Sequence, residues 1–239
     1  MNGFLYGAAL QWKLDIRSKS LLITCYVVPL IFFLLMGGIF TSVMPEMKST
    51  LIQSMLVMSV SMGAFIGLPP SLAETYGSDV KKVYRANGVP LYLGLAAMFL
   101  SAFLHLMCSC ILILLLAPVL FEAVLPVHLP GFFLALAVYM IVSLSIGCIL
   151  GLAVKNQAKL TMTAQLVFLP SIMLSGIMFP MDLLPDFLKS IGRIFPASWG
   201  YQLMLDNGFQ FENLWYLFLV FCGAVIVCGI LLRSGNHFE

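Results

Sequence analysis

Six stretches of this sequence are apolar enough, for long enough, to cross a lipid bilayer, and they limit the fold before anything else does. A spanning helix needs about 20 mostly apolar residues. The stretches lie at about 21–40, 51–70, 90–117, 131–154, 160–179 and 214–232. None of them contains Asp, Glu, Lys or Arg. The run 90–117 exceeds what a bilayer needs, which predicts a helix that tilts or extends past the lipid. Of the 239 residues, 62% are hydrophobic and 9% are charged. A soluble domain carries roughly 25% charged residues, because its outer face must stay wet. The sequence therefore predicts an all-α integral membrane protein of six transmembrane helices, forming one domain over residues 1–239.

The residues before the first run carry their own pattern. Leu5, Ala9, Trp12 and Ile16 recur at helical spacing, with Lys13 and Arg17 beside them. This predicts an amphipathic helix in the membrane interface, with Trp12 at headgroup depth. The first run lacks a small-residue cleavage pattern, which favours a transmembrane helix over a signal peptide.

Orientation follows from the basic residues. With both termini in the cytoplasm, the inner segments hold Lys13, Arg17, Lys19, Lys81, Lys82, Arg85, Lys155, Lys159 and Arg233, and the outer ones hold Lys48, Lys189 and Arg193. The outer loops are then about 41–50, 118–130 and 180–213, and the inner loops about 71–89 and 155–159. A multi-pass protein of the cell membrane is expected.

Ionisable groups inside a membrane are costly and usually functional. Their absence from the six runs implies that energy for any transport comes from outside this chain. His105 lies mid-run, where it either lines a path or hydrogen-bonds a neighbouring helix. Gly63 and Gly67 form one GxxxG, and Gly147 and Gly151 form another. Such pairs let helix backbones approach closely. In the fifth run, Thr161, Gln165, Ser171 and Ser175 fall within an arc of about 120° on a helical wheel. Such a stripe serves either to line a path or to bond helices together, and Pro170 predicts a kink there.

Two inter-span segments are punctuated. In 71–89, Ser78 or Asp79 is positioned to N-cap a short basic helix carrying Lys81, Lys82 and Arg85, which Asn87-Gly88 would end. Between the fifth and sixth runs, "SGIMFPMDLLPDFLKSIGRIFPASWG" places Pro180, Pro185 and Pro196 among large apolar side chains. Residues 185–195 predict a helix of about 16 Å, too short to cross. It either dips into the outer leaflet and returns or lies flat as an anchor.

Several chemistries find no support in the motifs. There is no phosphate-binding GxxxxGK[ST] loop, no HExxH and no GxSxG. The six cysteines show no zinc-type spacing. A net charge of +2 does not suggest nucleic acid.

The pattern Gly176, Phe179-Pro180, Leu184-Pro185, Pro196 and Trp199 resembles the "GxxFP…LP…P" signature after the fifth span of the permease subunits of type 2 ATP-binding-cassette (ABC) transporters. Glu74, Gly77, Lys81, Arg85 and Pro90 are similar to that family's cytoplasmic coupling segment. The resemblance implies a pair of permeases, identical or related, each contacting a separate cytoplasmic ATPase that holds ATP and Mg. No cofactor is expected in this chain, nor enzyme activity. Glu74, Asp79, Lys81, Lys82 and Arg85 would couple to the ATPase. Thr161, Gln165, Ser171 and Ser175 would line the translocation path near the second and fifth spans. Phe179, Pro180, Pro185, Phe187, Pro196 and Trp199 would form an external gate in the re-entrant segment 180–200. The expected activity is export of a hydrophobic or amphipathic compound, such as a drug or an antimicrobial or toxic peptide. The alternative is a membrane scaffold or immunity protein that binds a peptide without moving it.

Overall fold

A computed structural model describes residues 3–17, 22–77, 84, 86, 88, 90–178, 181–205 and 211–234. No strand occurs among them. In chain order the helices are α1 (Gly3–Arg17), α2 (Ile23–Val43), α3 (Leu51–Gly77), α4 (Leu91–Phe121), α5 (Leu129–Ala153), α6 (Gln157–Met173), α7 (Asp186–Gly192), α8 (Pro196–Leu205) and α9 (Phe211–Ser234). Five of these, α2, α3, α4, α5 and α9, are long and apolar enough to cross a membrane.

The fifth run departs from expectation. Its helix α6 has 17 residues, a rise of about 25 Å against a hydrocarbon core of ~30 Å. It starts earlier than residue 160 because the Asn156 side chain accepts a hydrogen bond from the Lys159 amide, an N-cap. It ends at Met173, not at 179, and three residues on the backbone turns through Gly176 at φ +85°. A left-handed residue of this kind ends a helix readily when it is glycine. The helix thus ends ahead of Pro180, at the Gly176 turn; Phe179 and Pro180 lie outside the described residues.

The α3 helix is the axis of the bundle. Of its most apolar window, 94% is buried, against 28% for α2 and 17% for α9. Helices α2, α4, α5 and α8 pack around it. Its composition explains the position. Small and hydroxyl side chains face every direction: Ser61 shares a 2.6 Å hydrogen bond with Tyr139 of α5, and Ser59 lies 3.4 Å from Ser109 of α4. Both GxxxG pairs sit at its contacts. A Cβ at Gly147 would collide with the Ala64 carbonyl, and one at Gly151 would stand 2.8 Å from the Pro69 carbonyl. This backbone-on-backbone approach is what small residues permit.

The α3 helix also runs past residue 71, where a loop was expected, and continues to Gly77. Pro69 and Pro70 do not stop it. A π-helical turn at Gly63–Gly67 precedes them and shifts the hydrogen-bond register. Glu74 is therefore a helical residue.

The connections 44–50 and 122–128 meet, as expected for two loops on one side. The Val124 amide donates to the Lys48 carbonyl at 3.1 Å, and the Lys48 ammonium reaches Glu122 Oε2 at 2.8 Å. Glu122 caps α4 in the left-handed region at φ 53°, a conformation costly for a residue with a Cβ.

Candidate functional site

Helix α6 has two ends with opposite surroundings. Thr161 and Gln165 are exposed, together with Met162, Leu166, Leu169 and Met173. Ser171 and Ser175 are fully buried. The four polar residues of the expected stripe thus do not share an open face. Ser171 lies on the buried side of the last turn of α6, and Ser175 lies beyond the end of the helix, in the turn, where its hydroxyl bonds the Ile172 carbonyl at 2.9 Å. Thr161 satisfies its hydroxyl on the Gln157 carbonyl at 3.0 Å. What α6 presents outward is a mixed face of Gln165 and Thr161 among large apolar side chains.

The segment after α6 forms a 3-10 turn at Met181–Leu183 and then two α-helices, the first shorter than the helix expected over 185–195. Pro185 precedes α7, and Asp186 opens its first turn, pairing with Lys189 at 3.5 Å. The chain breaks at Arg193–Phe195, and Pro196 begins α8. Three side chains hold this break. Ser198 Oγ donates to the Gly192 carbonyl at 2.6 Å, Trp199 Nε1 to the Arg193 carbonyl at 2.6 Å, and the Tyr216 hydroxyl to the Ile194 carbonyl. Trp199 and Tyr216 also stack at 4.9 Å. These bonds satisfy carbonyls that the end of a helix leaves open.

The two short helices differ in burial. Pro185, just before α7, and Phe187 within it are exposed. In α8, Pro196, Ala197, Ser198, Gly200, Tyr201, Leu203 and Met204 are buried. Gly200 seats on the Tyr139 ring, and Tyr201 meets Ser54 Oγ at 3.4 Å. So α8 is inserted among α3, α5 and α9. A cavity of about 370 Å³ opens beside it, lined by Glu46, Thr50, Gly176, Tyr201 and Gln202 among others.

At the other end of α3, Glu74 is exposed. Asp79, Lys81, Lys82 and Arg85 lie outside the described residues.

The α1 helix is present but turns a different face inward. Ala9 and Ile16 are exposed, while Asp15 is buried and Gln11 and Trp12 are half-buried; the side chain of Leu5 lies outside the described residues. Asp15 accepts from Gln11 Nε2 at 2.8 Å and from Ser101 Oγ at 2.5 Å. Trp12 stacks on His105, whose Nδ1 is 2.9 Å from the Tyr26 hydroxyl. His105 therefore makes the interhelical bond that was one of its two expected roles. The hydrophobic pattern missed this face because its strongest contacts are polar. The available signal was Asp15 itself, one turn from Gln11 in a segment otherwise poor in acids.

Outside the membrane-spanning helices, Lys48 holds the Glu122 carboxyl below the usual range, through its hydrogen bond first and its charge second.

The family model described as ABC-2 type transporter matches residues 4–209. No curated protein matches the chain.

Proposed function

Because the chain belongs to the ABC-2 type transporter family, and is thus a multi-pass permease component that works with an ATPase subunit, we propose that it is half of the membrane path of an ATP-driven exporter. The cargo in this reading is a hydrophobic or amphipathic compound, drug-like or peptidic. The observation that carries the proposal is the outward face of α6. Gln165 stands exposed beside Leu166 and Leu169. A polar side chain at that depth is costly against lipid and belongs against protein or a cavity. A second permease, identical or related, supplies that surface, and the path runs between the two copies.

The remaining parts take roles consistent with this. Thr161 and Gln165 face the path, while Ser171 and Ser175 hold the turn behind it. The α7–α8 pair enters the outer leaflet and returns, with Phe179, Pro180, Pro185, Phe187, Pro196 and Trp199 forming the external gate. The cavity beside Glu46 is the vestibule on that side. Glu74, Asp79, Lys81, Lys82 and Arg85 contact the ATPase, which binds ATP and Mg. Both termini lie in the cytoplasm, and the membrane is the cell membrane.

The test is reconstitution with a phosphate-loop ATPase subunit in sealed vesicles. ATP-dependent accumulation of an amphipathic dye or peptide is expected, and the double charge reversal K82E/R85E should uncouple it while the ATPase still turns over. Binding without accumulation would favour the scaffold reading and overturn this one.

A further inference from the structure

A groove of about 400 Å³ lies between α4, α5 and α9, with no residue of α6 in its lining. Its floor is made of small groups: Ala96, Ser145, Cys148, Cys228 and Gly229. Cys228 Sγ donates to the Ser145 carbonyl at 3.9 Å, so the floor presents almost no free polar atom. Phe99 and Phe221 line it as well.

The groove has a direction. It runs from Phe221 to Leu232 along α9, a rise of about 16 Å. That is close to one leaflet of a ~30 Å hydrocarbon core. Its mouth lies where helices end: Tyr92 is the second residue of α4, and Arg233 directly follows the lining residue Leu232 near the end of α9. Tyr92 and Arg233 are both exposed. An aromatic hydroxyl and a guanidinium at this level mark the headgroup region. No acidic residue lines the groove.

We propose that this groove is a binding site for one acyl chain of an anionic lipid, with the chain against Ala96, Cys148 and Gly229 and the headgroup on Arg233. The apolar walls supply the affinity and the single cation supplies the headgroup preference. The site is separate from the α6 face and does not depend on the transport reading.

Gly229 gives a direct test, because a Cβ there meets no atom within 4 Å, and the same holds for Gly223 on the same helix outside the groove. Gly229→Trp therefore puts bulk at the groove from a position whose first side-chain carbon is unopposed, and Gly223→Trp is its control. The full chain is placed in phosphatidylcholine nanodiscs doped with phosphatidylglycerol that carries a diazirine in its acyl chain. After illumination, adducts are mapped by mass spectrometry. Adducts are expected on Phe99, Cys148 and Cys228. Displacing several methylenes should lower their yield by about tenfold or more in Gly229→Trp, with no such loss in Gly223→Trp. Arg233→Gln should lower labelling by phosphatidylglycerol by about fivefold, leaving labelling by a phosphatidylcholine analogue unchanged. Equal adduct yields in Gly229→Trp and wild type would overturn the site. Equal labelling by both lipids in wild type would overturn the anionic assignment. Cross-links joining two copies through Phe221 or Val225 would give the groove to a protein interface instead.

Discussion

The indole of Trp12 lies flat on the imidazole of His105, with ring centroids 4.0 Å apart and planes 9° from parallel. Trp12 belongs to α1 and His105 to the middle of α4, so the stack fixes a helix expected in the interface onto the longest helix of the bundle. The Tyr26 hydroxyl of α2 is hydrogen-bonded to Nδ1 of the same imidazole. One side chain thus ties together three helices. The stack and the hydrogen bond thus anchor α1 and α2 on the same point of α4.

Removing the buried acid beside this stack should loosen α1. Asp15→Ala leaves the Gln11 amide and the Ser101 hydroxyl without their acceptor, a cost of about 1–3 kcal/mol. The purified variant should melt lower than wild type, and proteolysis near the N-terminus should speed up. Asp15→Asn keeps an acceptor and should lose less. Equal melting of Asp15→Ala and wild type would show that the contact does not hold the helix.

Bulk at the α3–α5 crossing should be poorly tolerated. Gly147→Leu would push a side chain into the Ala64 carbonyl, where neither backbone can yield. Overpacking of this kind costs about 1–3 kcal/mol or more. Gly131→Ala, on the same helix with nothing within 4 Å of its Cβ, should be silent. Yield and thermal midpoint of the two variants, side by side, check the contrast.

The long helices were legible because lipid leaves a simple requirement: some 20 apolar residues in a row. The run at 131–154 therefore corresponds closely to α5, and the run at 51–70 begins where α3 begins. The ends were less legible. The end of α6 depends on Gly176 taking a positive φ, and the course of α3 past Pro69 depends on a π-turn that no residue type announces. The burial of Ser171 opposite the exposure of Gln165 was invisible for a related reason. A helical wheel assumes one straight helix with one environment, whereas α6 stops short and its last turn is covered by the protein. The Asp15–Ser101 contact joins residues far apart in sequence, and short-range periodicity carries no trace of it.

The Lys48–Glu122 pair predicts a small pH dependence. The folded carboxyl titrates below its ordinary value. Its contribution is therefore present above the unfolded value and is lost as pH falls through the lowered one. Between pH 6 and strongly acidic conditions, wild type should lose slightly more stability than Glu122→Gln at low salt. The difference should vanish at high salt, because the pair is exposed and screened. A difference that persists in high salt would point to a role beyond this ion pair.

The break between α7 and α8 rests on Trp199 in two separable ways. Its indole N–H satisfies the Arg193 carbonyl, and its ring stacks on Tyr216. Trp199→Phe keeps a ring and loses the hydrogen bond, which should cost about 1 kcal/mol. Trp199→Ala loses both, adding about 0.5–1.5 kcal/mol for the aromatic pair together with the lost burial. The readout is maleimide labelling of a single cysteine at position 191, a half-buried site of α7, introduced in a chain whose six native cysteines are replaced. Labelling should be slowest with Trp199 intact, faster with Trp199→Phe and fastest with Trp199→Ala, because each loss frees α7 from the turn that anchors it. Transport should follow the same order if this turn is the hinge of the external gate. Labelling rates that do not change across the series would mean that α8 and α9 hold the segment without Trp199.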